Sequence, residues 1–261
     1  MITGIDPFSP AEAWHFGVLG IVDPREPGKL RGYFDFIREH HDSIEGDILE
    51  AGVFRGASLL ATALLLRELG SPKKVVGFDS FCGFPRYHAN DDLDQFDELA
   101  AAGQITPEHL EAVRLNRRLR SALEGAEVQP ATISSSGSFD QAPRRLLETK
   151  IEILGLDNIE LVEGDFAETM AGDRRRFAAA LIDCDLYESH RVVLEYLWPR
   201  LSAGGYVFLD EYYSLKFPGA RIAIDEFCGL ADVRPSMHEN RPRQFERWHI
   251  SKPAHQSRGE S

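Results

Sequence analysis

The sequence predicts an α/β protein with a doubly wound, mostly parallel sheet, a helical lid insertion and an N-terminal arm. Three observations predict it. Apolar runs of strand length alternate with helix-length segments from Leu30 onward. The stretch DILEAGVFRGAS, Asp47 to Ser58, sets a strand, a glycine turn and a helix start in direct succession. Acids recur where strands end, at Glu50, Asp79, Asp183, Asp185, Asp210 and Glu211.

In chain order, residues 1–28 are rich in Pro and Gly with isolated aromatics (Phe8, Trp14, Phe16) and read as an arm lying on the domain or on a partner subunit. Leu30 to His40 has apolar residues at helical spacing and extends that arm to about residue 45. Ile48 and Leu49 form a first strand, Gly52 and Gly56 bracket a tight loop, and Ala57 to Leu66 reads as a helix. Val75, Val76 and Phe78 form a second strand ending at Asp79. Residues 85–142 are too long for an ordinary strand-to-helix connection. They contain acidic DDLDQFDEL, a helix from Pro107 to Leu123 and a polar tract near 134–138 whose composition predicts mobility, so they read as a lid.

Alternation then resumes. Pro143 to Leu154 is helical, Ile159 to Val162 a strand, and Ala178 to Ile182 a buried strand ending in Asp183-Cys184-Asp185. A helix spans Tyr187 to Arg200, a turn falls at Gly204-Gly205, and a strand covers Tyr206 to Leu209. Pro218 to Phe227 begins a last helix, with Arg221 and Asp225 one turn apart. Gln244 to Ser251 alternates as a closing edge strand, and residues 252–261 form a flexible tail. The 261 residues are expected to make one domain.

Composition excludes several classes. A net charge of −13 disfavours nucleic acid and anionic membranes as partners. The run Arg174-Arg175-Arg176 is too short to reverse this and reads as a solvated loop. No apolar run reaches the ~20 residues of a bilayer span, and the first residues lack a secretory signal. Three scattered cysteines (Cys82, Cys184, Cys228) argue against a disulfide framework and fit a reducing, cytoplasmic setting.

The chemistry divides between two groups of acids. Glu50 and Asp79 flank the glycine loop and suit a nucleoside with free hydroxyls and an amine. Asp183, Asp185, Asp210 and Glu211 come from strands about one crossover apart; clustered carboxylates repel, and a hard divalent ion such as Mg²⁺ relieves the repulsion. Capping of the following helices is the alternative for Asp183 and Asp210. Asp183 or Asp185 is the candidate base, and His190, one turn into the next helix, a weaker one. Tyr187, Tyr212 and Tyr213 are placed to stack on an acceptor or to pack structurally.

These motifs together resemble class I S-adenosylmethionine-dependent methyltransferases, and within them the O-methyltransferase family of the macrocin, mycinamicin and novobiocin pathways. The residues that carry the resemblance are LEAGVFRGAS (49–58), FDSFCGFP (78–85), LIDCDLYES (181–189), LWPRLSAGGYVFLDEYY (197–213) and RIAIDEF (221–227). The resemblance implies Mg²⁺-dependent methyl transfer from S-adenosyl-L-methionine to a hydroxyl, commonly of a sugar on a natural product. It implies donor contacts from Glu50, Ala51, Gly52, Phe54, Arg55, Gly56 and Ser58, with Asp79 at the ribose and Ser80 and Phe81 near the ribose or adenine. Gly164, Asp165 and Phe166 would border the adenine, and Asp183 is also counted among the donor-binding residues. Asp185, Asp210 and Glu211 match the metal positions, with Asp183 the alternative to Asp185. The sequence departs from the family where Glu211 replaces a frequent Asp and where DCD replaces DGD. A phenolic acceptor, or donor binding without catalysis, are the alternatives; a dinucleotide oxidoreductase is disfavoured because the loop lacks G-x-G-x-x-G. The acceptor is expected to be a small molecule, and the aromatic arm and long insertion favour a homo-oligomer.

Overall fold

The computed structural model describes residues 13–238 and 245–254. Its centre is a seven-stranded sheet in the order β3-β2-β1-β4-β5-β7-β6. The strands are β1 Asp47–Ala51, β2 Val75–Asp79, β3 Ile159–Glu163, β4 Phe177–Ile182, β5 Leu201–Leu209, β6 Ser236–Met237 and β7 Trp248–Ser251. The first five run parallel, whereas β7 is antiparallel to both β5 and β6. The order reverses between β1 and β4, so their carboxyl ends open a crevice at the switch point.

Helices α1 Trp14–Leu19, α2 Arg31–His40, α3 Ala57–Glu68, α4 Gln95–Ala101, α5 Pro107–Glu124, α6 Arg144–Leu154, α7 Phe166–Thr169, α8 Tyr187–Leu197 and α9 Pro218–Ala231 complete the fold. One face of the sheet packs on α2, α3 and α6, with Tyr33, Phe34, Leu60, Leu64 and Leu147 in that core. The other packs on α8 and α9 through Val193, Leu197, Ile224 and Cys228. Every residue of α3 from Leu59 to Leu66 is buried. That is why this helix is apolar on all sides rather than along a stripe. Each such leucine contributes about 1.5–3 kcal/mol.

Two expectations are corrected. Gly204 and Gly205 do not form a turn ahead of the strand. They lie within β5, whose register jumps from Phe177↔Leu201 to Ala179↔Tyr206, so the glycines sit in a bulge of a longer strand. The C-terminal strand β7 is not the edge, because β6 pairs outside it. Gln244 and Phe8 fall outside the described residues, as do 255–261 of the expected tail. Lys252 is anchored, its Nζ donating to Trp198 O at 2.7 Å and Leu201 O at 2.8 Å.

The insertion docks through its own small cores. Leu93, Val128 and Ile133 pack with Leu186 and Phe217, and Phe96, Leu99, Ile105 and Val113 pack beside Leu215 and Ile222. Buried Asp91 accepts from Tyr187 N–H at 2.8 Å, capping α8, and from His88 N–H at 2.8 Å. His109 Nε2 donates to Ser214 O at 2.7 Å, and Asn116 to Leu215 O at 3.1 Å. In the polar tract Ser134 is buried, and Ser138 O accepts from Phe84 N–H at 3.0 Å.

Candidate active site

The glycine turn follows from a close approach of two strands. Gly52 has φ +86°, and a Cβ there would stand 1.9 Å from Asp183 O. Gly52 N–H donates to Phe78 O at 3.0 Å, and Asp183 N–H donates to Ala51 O at 2.9 Å, so the exits of β1, β2 and β4 are tied together. Asp79 secures the turn from β2. Its Oδ2 accepts from Val53 N–H at 2.7 Å and Phe54 N–H at 2.8 Å, and its Oδ1 from Phe81 N–H at 2.7 Å. Oδ1 retains a lone pair for a hydroxyl.

Around this turn lies a cavity of about 380 Å³. It begins at Gly52, Phe54, Arg55 and Ser58, passes Asp79 and Ser80, is bordered by Gly164, Asp165 and Phe166, and reaches Asp183 and Asp185. Sequence reasoning brought those residues together from distant segments. It missed Phe84, Arg86 and Phe139, which close the cavity from the insertion side. Phe139 packs edge-on against Phe54 at 5.2 Å, and Arg55 Nε donates to Gln141 O at 3.1 Å. Among the described residues five non-glycines have positive φ, and three of them, Phe54, Phe139 and Asp185, line this cavity. A fourth, Phe81, follows it directly in chain. Such conformations cost on the order of 1–3 kcal/mol each, and they concentrate at binding sites.

Glu50, Ala51, Gly56 and Phe81 do not line the cavity. Glu50 is fully buried beneath it. Its Oε1 accepts from Ser58 Oγ at 2.7 Å, and its Oε2 has no hydrogen-bond partner. Burial, only partly opposed by the Ser58 hydrogen bond and reinforced by Asp183 and Asp79, pushes its carboxyl up to about 8. Any influence of Glu50 on a ligand amine therefore passes through Ser58, which does face the cavity.

Asp183 and Asp185 at the far end meet Glu211, which like Asp210 does not line the cavity; each of Asp183, Asp185 and Glu211 offers a carboxylate oxygen, and these atoms all lie within 4.8 Å of one another. Burial, then repulsion, raises both carboxyls, with Asp210 and Glu211 pressing on Asp183 and Glu211 and Asp183 pressing on Asp185. Glu211 rises for the same reasons, with Asp210 its main repelling neighbour. An all-oxygen trio of crowded acids fits a hard divalent cation. Asp210 is not part of that trio. Its Oδ2 accepts from Lys29 Nζ at 2.5 Å, a contact with the N-terminal arm that sequence reasoning did not foresee.

His190 is sealed away from the cavity. It is fully buried, its Nδ1–H donates to Leu186 O at 3.0 Å, and burial lowers its imidazole to about 4. It is a packing residue of α8, positioned too deep for proton transfer to an acceptor. The three tyrosines are also engaged. Tyr187 OH donates to Glu226 at 2.8 Å, Tyr212 OH to Asp225 at 2.7 Å, and Tyr213 stacks on His109 at 4.0 Å.

Fold and cavity together define a doubly wound protein of the class I methyltransferase type. A solved structure of the O-methyltransferase NovP superposes with a TM-score of 0.58 at 18% identity, covering 92% of this chain and 80% of that one. The calicheamicin methyltransferase CalS11 superposes with a TM-score of 0.56 at 24% identity, covering 95% of each chain. The chain belongs to the macrocin-O-methyltransferase (TylF) family, whose model matches residues 30–128 and 140–239. A relative from Streptomyces olivaceus, 8-demethyl-8-(2,3-dimethoxy-alpha-L-rhamnosyl)-tetracenomycin-C 4'-O-methyltransferase, is 30% identical over 76% of this chain and 64% of its own length. Mycinamicin III 3''-O-methyltransferase from Micromonospora griseorubida is 30% identical over 71% of this chain and 61% of its own length. The match therefore spans less than two thirds of either relative.

Proposed function

We propose that this protein transfers a methyl group from S-adenosyl-L-methionine to a hydroxyl of a sugar on a glycosylated natural product, in a Mg²⁺-dependent reaction. The observation that carries the reading is the single cavity that joins the glycine turn and Asp79 to Asp183 and Asp185. A nucleoside-sized donor and an acid-lined reaction centre would thus share one cleft. The named sugar O-methyltransferases among the relatives support the choice of acceptor.

The donor brings an already activated methyl group, and a divalent ion held by Asp183, Asp185 and Glu211 would supply positive charge that favours loss of the acceptor's proton. The chain's own part is alignment and proton transfer. Gly52 and the amides fixed by Asp79 shape the donor's bed, and Phe54, Phe84 and Phe139 give it apolar walls. Alignment of the two reacting atoms is worth several kcal/mol in such displacements. Asp183, which is partly exposed, and Asp185 both line the cavity, and one of them is the candidate to take the acceptor's proton. The exposed leucines Leu115, Leu119 and Leu123 along α5 support self-association, which light scattering checks, and the free cysteines suit a reducing compartment.

The test is a panel of glycosylated and phenolic acceptors assayed with S-adenosylmethionine, with and without EDTA. Turnover of a sugar hydroxyl that EDTA stops and Mg²⁺ restores is the expected result. Preference for a phenol would replace the acceptor assignment, and tight donor binding without any turnover would replace the enzyme reading with a binding protein.

A further inference from the structure

The acidic cluster is joined by a cation from the N-terminal arm. Lys29 lies in the turn Gly28–Leu30, and its Nζ stands 2.5 Å from Asp210 Oδ2 and 3.9 Å from Asp183 Oδ2. The backbone that delivers it is fixed at several points. Leu30 is buried, its N–H donates to Pro27 O at 3.0 Å, and Val22 N–H donates to Ala57 O at 3.1 Å at the start of α3. The side chain is different. It is 45% exposed, so a flexible stem brings the ammonium in from the solvent side. Its partner Asp210 is only 5% exposed. Asp210 Oδ1 has no hydrogen-bond partner, although the Arg247 guanidinium stands 3.5 Å away.

Asp183 belongs to both arrangements. It is one of the three acids whose oxygens converge within 4.8 Å, and it is also the second anion beside Lys29. Burial alone would pull the Lys29 ammonium down, but Asp183 and Asp210 outweigh it and hold the group above its ordinary value.

We propose that Lys29 is a tethered counter-cation that competes with a divalent metal ion for the acidic cluster and is released when the metal loads. The proposal rests on the metal-dependent reading given above. Its physical basis is charge crowding. Several partly desolvated carboxylates in contact repel one another, and one ammonium offsets part of that repulsion. A divalent ion held by Asp183 would set two cations against each other at the same carboxylate, since Lys29 Nζ already stands 3.9 Å from Asp183 Oδ2. Lys29 is the mobile one, because its half-exposed stem can swing to water without moving Leu30. The metal-free cluster is thereby held together, and metal affinity is set lower than the three acids alone would give.

The test uses the full chain and Mn²⁺ as the probe, with free Mn²⁺ read by electron paramagnetic resonance. Wild type is compared with Lys29→Met, Lys29→Gln and Lys29→Arg. Removing the charge is expected to tighten Mn²⁺ binding by about ten-fold or more, since an opposing neighbour is lost. Lys29→Arg should stay within about three-fold of wild type because the charge is kept. Thermal unfolding gives a second readout, in which Mn²⁺ should raise the midpoint more in Lys29→Met than in wild type. Lys29→Gln keeps a hydrogen-bond donor to Asp210 and serves where Lys29→Met fails to fold. Equal or weaker Mn²⁺ binding in the folded, uncharged variants overturns the competition and leaves the metal reading standing. No Mn²⁺ binding by any form overturns both.

Discussion

Glu50→Gln isolates the electrostatics beneath the donor's bed. Glu50 is fully buried, and its carboxyl is raised from 4.5 to about 8, first by burial and then by Asp183 and Asp79. The unfolded chain gives up this proton near its ordinary value, whereas the folded chain keeps it until about 8. Between those points folding takes up a proton, so stability falls as pH rises, by up to about 1.4 kcal/mol per pH unit. Above the folded value the loss levels off at an upper figure on the order of 5 kcal/mol. Glutamine fills the same space, and its carbonyl can still accept from Ser58, but it does not titrate. Wild type and Glu50→Gln should therefore differ by a roughly constant offset below about pH 4, where the carboxyl is protonated in both states. The difference should move in the variant's favour by about 3–5 kcal/mol by pH 8.5. Urea unfolding at several pH values measures it directly. Parallel stability curves for the two proteins across this range would refute the reasoning, because they would mean that Glu50 ionises in the fold as easily as in water.

Three further outcomes are expected. Gly52→Ala places a Cβ 1.9 Å from Asp183 O at a residue with φ +86°; it should cost about 3 kcal/mol or more in urea unfolding and abolish S-adenosylhomocysteine binding. Asp79→Asn keeps one acceptor oxygen for the Val53 and Phe54 N–H donors but sets an NH2 group against Phe81 N–H and the donor's hydroxyls, and should weaken S-adenosylhomocysteine binding by about 100-fold in calorimetry, with the fold retained. Asp91→Ala leaves the Tyr187 and His88 N–H groups unpaired; it should cost about 1–3 kcal/mol and speed hydrogen exchange within 85–142.

The fold class was legible because strands and helices here differ in length and period. Runs such as Ile48–Leu49 and Val75–Phe78 are short and continuous, as fully buried parallel strands are. The segment after Gly205 was harder. A glycine pair reads as a turn whether it ends a strand or bulges within one, and only the pairing of Phe177 with Leu201 distinguishes the two. The edge position of β6 was equally hidden, since its two residues carry no periodicity.

For the site, the sequence by itself determined which residues meet at the carboxyl edge of the sheet. Parallel alternation brings the ends of β1, β2, β4 and β5 to one crevice wherever helices intervene, so Glu50, Asp79, Asp183, Asp185, Asp210 and Glu211 could be grouped from spacing alone. Tertiary structure decided which way each side chain turns and which counter-charge it meets. Glu50 and Asp79 both end buried strands, yet Glu50 points beneath the glycine turn toward Ser58 while Asp79 holds the loop amides at the cavity wall. Asp210 stands one residue before Glu211 but is taken by Lys29, some 181 positions earlier. A carboxylate's role depends on the nearest opposite charge and on access to water, and both are fixed by packing between distant segments rather than by position along the chain.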